Sequence, residues 1–183
     1  ESSELLERFV HERRLLASVE HLNVARLLDA GETKDGLPWL AMEYVDGLSI
    51  TAFADTYRLS LDERFALFFQ LADAIAYLHQ NLIVHRDIKA GNVLVDRDGH
   101  VRVLDFGISG LVEDQLEEEA GGAGPRVSLL AAAPEQLRGE ALTTAADIYS
   151  LGVVLYQLLT GALPFSAVDK PTRFQLEQAI LHE

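Results

Sequence analysis

The run His85-Arg86-Asp87-Ile88-Lys89-Ala90-Gly91-Asn92 is followed, thirteen positions after Asn92, by Asp105-Phe106-Gly107. Between them lie two short apolar stretches, Asn92 to Val95 and His100 to Leu104, around the turn sequence Asp96-Arg97-Asp98-Gly99. This pattern predicts a β-hairpin whose two ends meet, which brings Asn92 and Asp105 together. Both offer side-chain oxygens, the ligand type a hard divalent cation such as Mg²⁺ prefers. Beside them Asp87 carries a proton-accepting carboxylate and Lys89 a cation that can neutralise phosphate charge.

Upstream, Glu4 to Val19 has the spacing of a helix with Leu5, Leu6, Phe9, Leu16 and Val19 near one side. Val24 to Leu28 and Trp39 to Val45 are apolar runs of strand length, joined through the turn pair Asp35-Gly36. Ser60-Leu61-Asp62-Glu63 is a capping box: the serine oxygen takes an orphan N–H while Glu63 reaches back. The helix it opens carries Phe65, Phe68, Ala72, Ile75 and Leu78 at i+3/i+4 spacing and ends near His79. Downstream, an acidic, glycine-rich loop from Glu113 to Gly124 leads to Ala133-Pro134-Glu135. A more apolar helix, expected to be buried, runs from about Thr144 to Leu159 and stops at Gly161, a favourable C-cap position.

At 183 residues and 49% hydrophobic content, one domain with a real core is expected. A net charge of −14 argues against a nucleic-acid partner, which requires a basic face. Without cysteine there is neither a disulfide framework nor a thiolate metal site, which fits a cytoplasmic setting. The uncharged run Ile148 to Phe165 is short for a membrane span and is interrupted by Gly152, Gly161 and Pro164, so no membrane segment is expected. No signal peptide is visible, and a chain that opens on Glu1 is read as a fragment.

The H-R-D-x-K-x-x-N, D-F-G and A-P-E patterns, in this order and spacing, resemble those of eukaryotic-type serine/threonine protein kinase domains. The resemblance implies an α+β bilobal fold. Residues 1–45 would be the remnant of a small, β-rich lobe with the hinge. Residues 46–183 would be a mostly helical large lobe, reaching about the start of the helix the family letters αG. The implied reaction moves the γ-phosphoryl group of ATP, with Mg²⁺, to a serine or threonine hydroxyl of a protein substrate. Asp87 would take the hydroxyl proton and Lys89 would steady the γ-phosphate, while Asn92 and Asp105 would hold the metal. Glu43-Tyr44-Val45 resembles the hinge whose backbone meets the adenine edge, with Met42 as gatekeeper and Leu94 as the apolar floor. Glu12 falls at the αC glutamate that pairs with a strand lysine. Leu16, Leu27, His85 and Phe106 fall on the regulatory spine, Arg86 takes a structural role in the loop, and Asp147 matches the aspartate that braces it. Lys89 is of the serine/threonine kind, and Glu43 to Ile50 and Tyr149 to Val153 have a bacterial flavour. A membrane anchor downstream of the chain is compatible with this family.

Two departures stand out. Neither a glycine-rich loop nor a strand lysine precedes Glu12, so this polypeptide alone is expected to be nearly inactive and the full gene product active. Between Gly107 and Ala133 the only hydroxyl residues are Ser109 and Ser128, and Ala131 stands where the family carries tyrosine. Activation is therefore expected not to depend on loop phosphorylation, with Glu117-Glu118-Glu119 as an acidic group that could face Arg86. The alternatives are a pseudokinase scaffold that lacks the nucleotide roof and a small-molecule phosphotransferase. The latter usually carries H-G-D-x-x-x-x-N and no A-P-E segment, and is disfavoured here.

Overall fold

The computed structural model describes residues 19–34, 38–104, 131–164 and 172–182. The helix read over Glu4 to Val19, the Asp35-Gly36 turn and the segment 105–130 lie outside the described residues, apart from Val19 itself.

Strands β1 (Leu27–Glu32) and β2 (Pro38–Met42) pair antiparallel, with an irregularity in register between Leu27 and Asp29. Gly31 faces Trp39 across the pair; a Cβ there would lie 2.7 Å from the indole ring, so the glycine makes room for it. The strand expected from Val24 starts later, because Val24 pairs elsewhere, in a parallel bridge to Val103. The second strand stops at Met42 rather than Val45. The Glu43 N–H still bonds the Arg26 carbonyl at 3.0 Å, but Tyr44 stands clear of the protein at 90% exposure.

A second sheet consists of β3 (Gly47–Ser49), β4 (Val93–Asp96) and β5 (Val101–Val103), all antiparallel in that order. The sequence reading anticipated β4 and β5 as a hairpin, but not β3. Alternation sends Val93, Val95, Val101 and Val103 into the core and leaves Leu94 and Arg102, which are register partners, on the other face. Gly47 lies so close to β4 that a Cβ would meet the Val95 carbonyl oxygen at 2.3 Å. Asn23 ties the turn before β1 to this sheet. Its backbone carbonyl accepts from Val103 N–H at 2.8 Å, and its amide donates to Val101 O at 2.9 Å and to Gln70 at 3.1 Å.

Two helices follow β3: α1 (Ile50–Thr56), capped by Ser49, and α2 (Leu61–Gln80). The capping box forms as read: Glu63 N–H bonds Ser60 Oγ at 3.4 Å, and Ser60 N–H bonds the Glu63 carboxylate at 2.7 Å. The buried stripe of α2 is Leu67, Leu71, Ala74, Ile75 and Leu78, not the Phe65-Phe68-Ala72 line. The helix is apolar at so many positions that two stripes share the required spacing, and packing against β5 and the later helix Thr144–Thr160 selects one.

After a short α3 (Pro134–Leu137), α4 (Thr144–Thr160) runs from the Thr143 cap to Gly161, whose φ of 73° closes the end as expected. One side of α4 is buried through Ala146, Asp147, Ser150, Leu151, Val153, Val154 and Leu158. The opposite side leaves Ile148, Tyr156 and Leu159 exposed, so burial covers one face and not the whole helix. A fifth helix, α5 (Arg173–His182), adds buried Leu176 and Ile180. Arg64 locks three helices together, donating to Leu158 O at 2.7 Å, Leu59 O at 3.1 Å and the Asp55 carboxylate at 2.8 Å. Its charge sits at the carbonyl end of α4, where a cation is favoured. No helix among the described residues is long and apolar enough to cross a membrane.

The end of α2 carries a testable strain. Ile83 N–H bonds Leu78 O and Leu82 N–H bonds His79 O, each at 3.0 Å, which is a Schellman closure. Its left-handed position, normally glycine, is Leu82, with φ at 61° and the side chain 91% exposed. That conformation costs a non-glycine residue about 1–2 kcal/mol, and the exposed leucine packs on little in return. Leu82→Gly is expected to stabilise the fold by about 0.5–1 kcal/mol, after roughly 0.5–1 kcal/mol of glycine entropy is deducted. Thermal unfolding should then show Tm rising by about 2 °C.

Candidate active site

The loop between α2 and β4 is anchored at both ends by apolar side chains, with Ile83 and Ile88 both buried. Ile88 points inward, so its neighbours Asp87 and Lys89 are left at the surface side, each about one-fifth exposed. The chain then turns through one 3-10 turn, Ala90–Asn92, straight into β4.

Asp147, on the first turn of α4, is 1% exposed and organises this loop. Its Oδ2 accepts the His85 N–H at 2.8 Å and its Oδ1 the Arg86 N–H at 2.9 Å. His79 Nε2, near the end of α2, donates to the same carboxylate at 2.7 Å. Two successive amides directed at one carboxylate require a sharp backbone turn, and Arg86 provides it with φ at 72°. The Arg86 carbonyl in turn accepts from Gln136 Nε2 at 3.2 Å.

His85 is fully buried. Its Nδ1 accepts the Asp87 N–H at 3.3 Å, so the ring proton sits on Nε2, which donates to Leu104 O at 3.0 Å. Burial pushes its pKa below the usual imidazole value, against the opposing pull of Asp147. It is therefore neutral near pH 7 and links the loop to the end of β5 by packing and hydrogen bonds.

Asp87, Lys89 and Asn92 come together. Lys89 Nζ lies 2.7 and 3.0 Å from the two Asp87 oxygens, and Asn92 Nδ2 donates to Asp87 Oδ2 at 2.7 Å and to its backbone carbonyl at 2.9 Å. The Asn92 amide nitrogen is thus committed to Asp87, and no donor among the described residues takes its Oδ1. The Asn92 carbonyl accepts the Leu104 N–H at 2.8 Å, which brings the residue before Asp105 against Asn92. Asp105 itself, like Glu12, Leu16 and Phe106, lies outside the described residues.

Of the other sequence-selected positions, Leu94 lies on the second sheet, Met42 on the first, and Glu43 and Val45 on the segment between them. Leu94 is half-buried on the face turned away from the core, two residues after Asn92. Opposite it, Arg102 donates to the Glu43 carboxylate and to the Leu22 carbonyl. The Glu43 side chain is therefore held by Arg102 and its N–H by the Arg26 carbonyl. Val45, half-buried, lies between Glu43 and β3. Half-buried Met42 pairs with Leu27 at the edge of the core.

The family profile of the protein kinase domain matches residues 1–182. The chain belongs to the protein kinase family. Among its relatives, this kinase chain is 38% identical over 164 residues to the serine/threonine-protein kinase PrkC of Bacillus subtilis, covering 89% of this chain and 25% of that protein. It is 33% identical over 168 residues to the serine/threonine-protein kinase PknB of Mycobacterium tuberculosis (strain H37Rv), covering 90% of this chain and 27% of the relative. A probable serine/threonine-protein kinase PknB of Lactococcus lactis is 35% identical over 159 residues, covering 86% and 25% respectively. The kinase chain thus spans about a quarter of the length of the curated relatives it matches.

Four side chains of this kinase site were not selected for it from sequence: His79, Arg102, Gln136 and Ser150. The Ser150 hydroxyl faces the Ala131 carbonyl at 2.9 Å and so ties the segment before α3 to α4. His79 and Asp147 are 68 residues apart in sequence, and Gln136 and Arg86 are 50 apart. Such pairings leave no local pattern. The one available signal was polarity on otherwise apolar helices, at His79 and Ser150.

Proposed function

We propose that this chain is the catalytic core of a serine/threonine protein kinase, transferring the γ-phosphoryl group of Mg·ATP to serine or threonine hydroxyls of a protein. The observation that carries this reading is the Asp87-Lys89-Asn92 group on a loop locked by buried Asp147. Protein kinases generally use ATP and Mg²⁺, and the donor chemistry here fits: the amide oxygen of Asn92 is left open by the bonds its nitrogen makes to Asp87. Asn92, with Asp105, would hold the metal, which when bound neutralises charge on the phosphates.

The residues of the chain then divide the work. Asp87 orients the acceptor hydroxyl and takes its proton as the oxygen–phosphorus bond forms and the bond to the leaving ADP breaks. Lys89, already beside that carboxylate, supplies positive charge to the transferring group. Leu94 offers an apolar surface to adenine, and the backbone of Glu43 and Val45 offers its edge partners. Glu12 would pair with a lysine on a neighbouring strand. Residues 1–45 form the small-lobe part and hinge and residues 46–183 the large-lobe part. Lys89 favours serine and threonine acceptors over tyrosine. The reaction needs ATP, and the cytoplasm is the compartment this reading assigns it.

The test is made on the full gene product, with labelled ATP, Mg²⁺ and a general protein acceptor such as myelin basic protein. Label is expected on phosphoserine and phosphothreonine, and chelation of Mg²⁺ should remove more than nine-tenths of it, as expected when the metal carries much of the charge stabilisation. A protein that binds ATP yet transfers no label would overturn the enzymatic reading in favour of a scaffold.

A further inference from the structure

The peptide groups around Asp87 are held one by one by side chains. The N–H groups of His85 and Arg86 go to Asp147, and the Asp87 N–H goes to His85 Nδ1. The Asp87 carbonyl accepts from Asn92. The Arg86 carbonyl accepts from Gln136 Nε2, at 3.2 Å, which reaches the loop from α3. Arg86, with φ at 72°, stands outside any regular hydrogen-bond ladder, and the Gln136 amide bonds the carbonyl of the peptide it shares with Asp87.

We infer that Gln136 is a positioning residue for Asp87: its side-chain amide holds the Arg86–Asp87 peptide and thereby sets the direction of the Asp87 carboxylate. This rests on the phosphoryl-transfer reading above. The backbone around Gln136 is itself fixed. Its own N–H bonds Ala133 O at 3.0 Å, and Ala131 just upstream is held by Ser150. The segment that follows Ala131-Ala132-Ala133 is thus coupled to the loop through a neutral donor. A carboxylate of the same shape could not replace it, because two acceptor oxygens would then face each other.

The experiment compares three substitutions in the full gene product. Gln136→Glu keeps the shape and removes the donor, Gln136→Met removes all polarity, and Gln136→Lys restores a donor. Loss of one hydrogen bond of this kind predicts kcat about five- to tenfold lower for the Glu and Met variants. KM for ATP should stay within about twofold, and the Lys variant should recover to within about twofold of wild type. Full kcat in the Glu and Met variants would overturn the inference. Equal losses in all three, accompanied by a falling Tm, would also overturn it, since that is the behaviour of a packing residue. If the wild-type protein transfers no phosphate, the functional reading fails instead, and hydrogen exchange at the Asp87 amide still decides the structural claim. Exchange about tenfold faster in Gln136→Met supports it, and unchanged exchange overturns it.

Discussion

Asp87→Asn is expected to lower kcat for phosphoryl transfer by about 10²–10⁴-fold, the range a positioned general base contributes. The substitution is nearly isosteric and keeps an oxygen that can accept from Asn92, whose second bond, to the Asp87 backbone carbonyl at 2.9 Å, is untouched. What disappears is the negative charge that pairs with Lys89 at 2.7 Å and the lone pair able to take a proton. Both side chains are partly exposed, so the lost ion pair is worth no more than about 1 kcal/mol and the protein should remain folded. Steady-state kinetics on the full gene product, with a thermal melt as control, give the answer. A variant that keeps a tenth or more of wild-type kcat would remove Asp87 from the chemistry and with it the reading of the whole loop.

Much of this site was legible because its residues are close in sequence. Asp87, Lys89 and Asn92 span six positions, and a short loop cannot keep them apart. The β4–β5 hairpin was readable from its turn residues, and the Ser60 capping box and the Gly161 stop from local chemistry that tertiary contacts leave intact. What the sequence could not show was set by packing. The core stripe of α2 was ambiguous because the helix is apolar on more than one side. Strand β3 has only three residues and exists because Gly47 can approach the Val95 carbonyl, a fact about the neighbour more than about the strand. The Glu43–Arg102 pair bridges 59 positions, so no local pattern in the sequence showed what anchors the Glu43 side chain.

The brace under the loop yields the other large effect, and it differs in kind from that of Asp87. Replacing Asp147 by leucine is expected to cost about 3 kcal/mol of stability and to abolish measurable transfer. The carboxylate is 1% exposed and accepts three hydrogen bonds, of 2.7, 2.8 and 2.9 Å. Without it, the buried His85 N–H, the part-buried Arg86 N–H and the half-buried His79 imidazole lose their acceptor, at about 1–3 kcal/mol for a buried group left unsatisfied and less where water can reach. Arg86 can recover part of that cost by leaving its left-handed conformation, a release of about 1–2 kcal/mol. The relaxation that limits the loss of stability is therefore the same movement that takes Asp87 out of position. Tm should fall by about 6–12 °C for a domain of this size. Asp147→Asn separates charge from shape: it retains one acceptor oxygen but points N–H donors at an N–H, so it should fall between wild type and the leucine variant in both Tm and kcat. Asp87→Asn, in contrast, should lower Tm by no more than about 4 °C and act mainly on kcat. If Asp147→Asn melted with the wild type and kept full activity, the loop would hold its geometry without the carboxylate, and the strain at Arg86 would need another source of support.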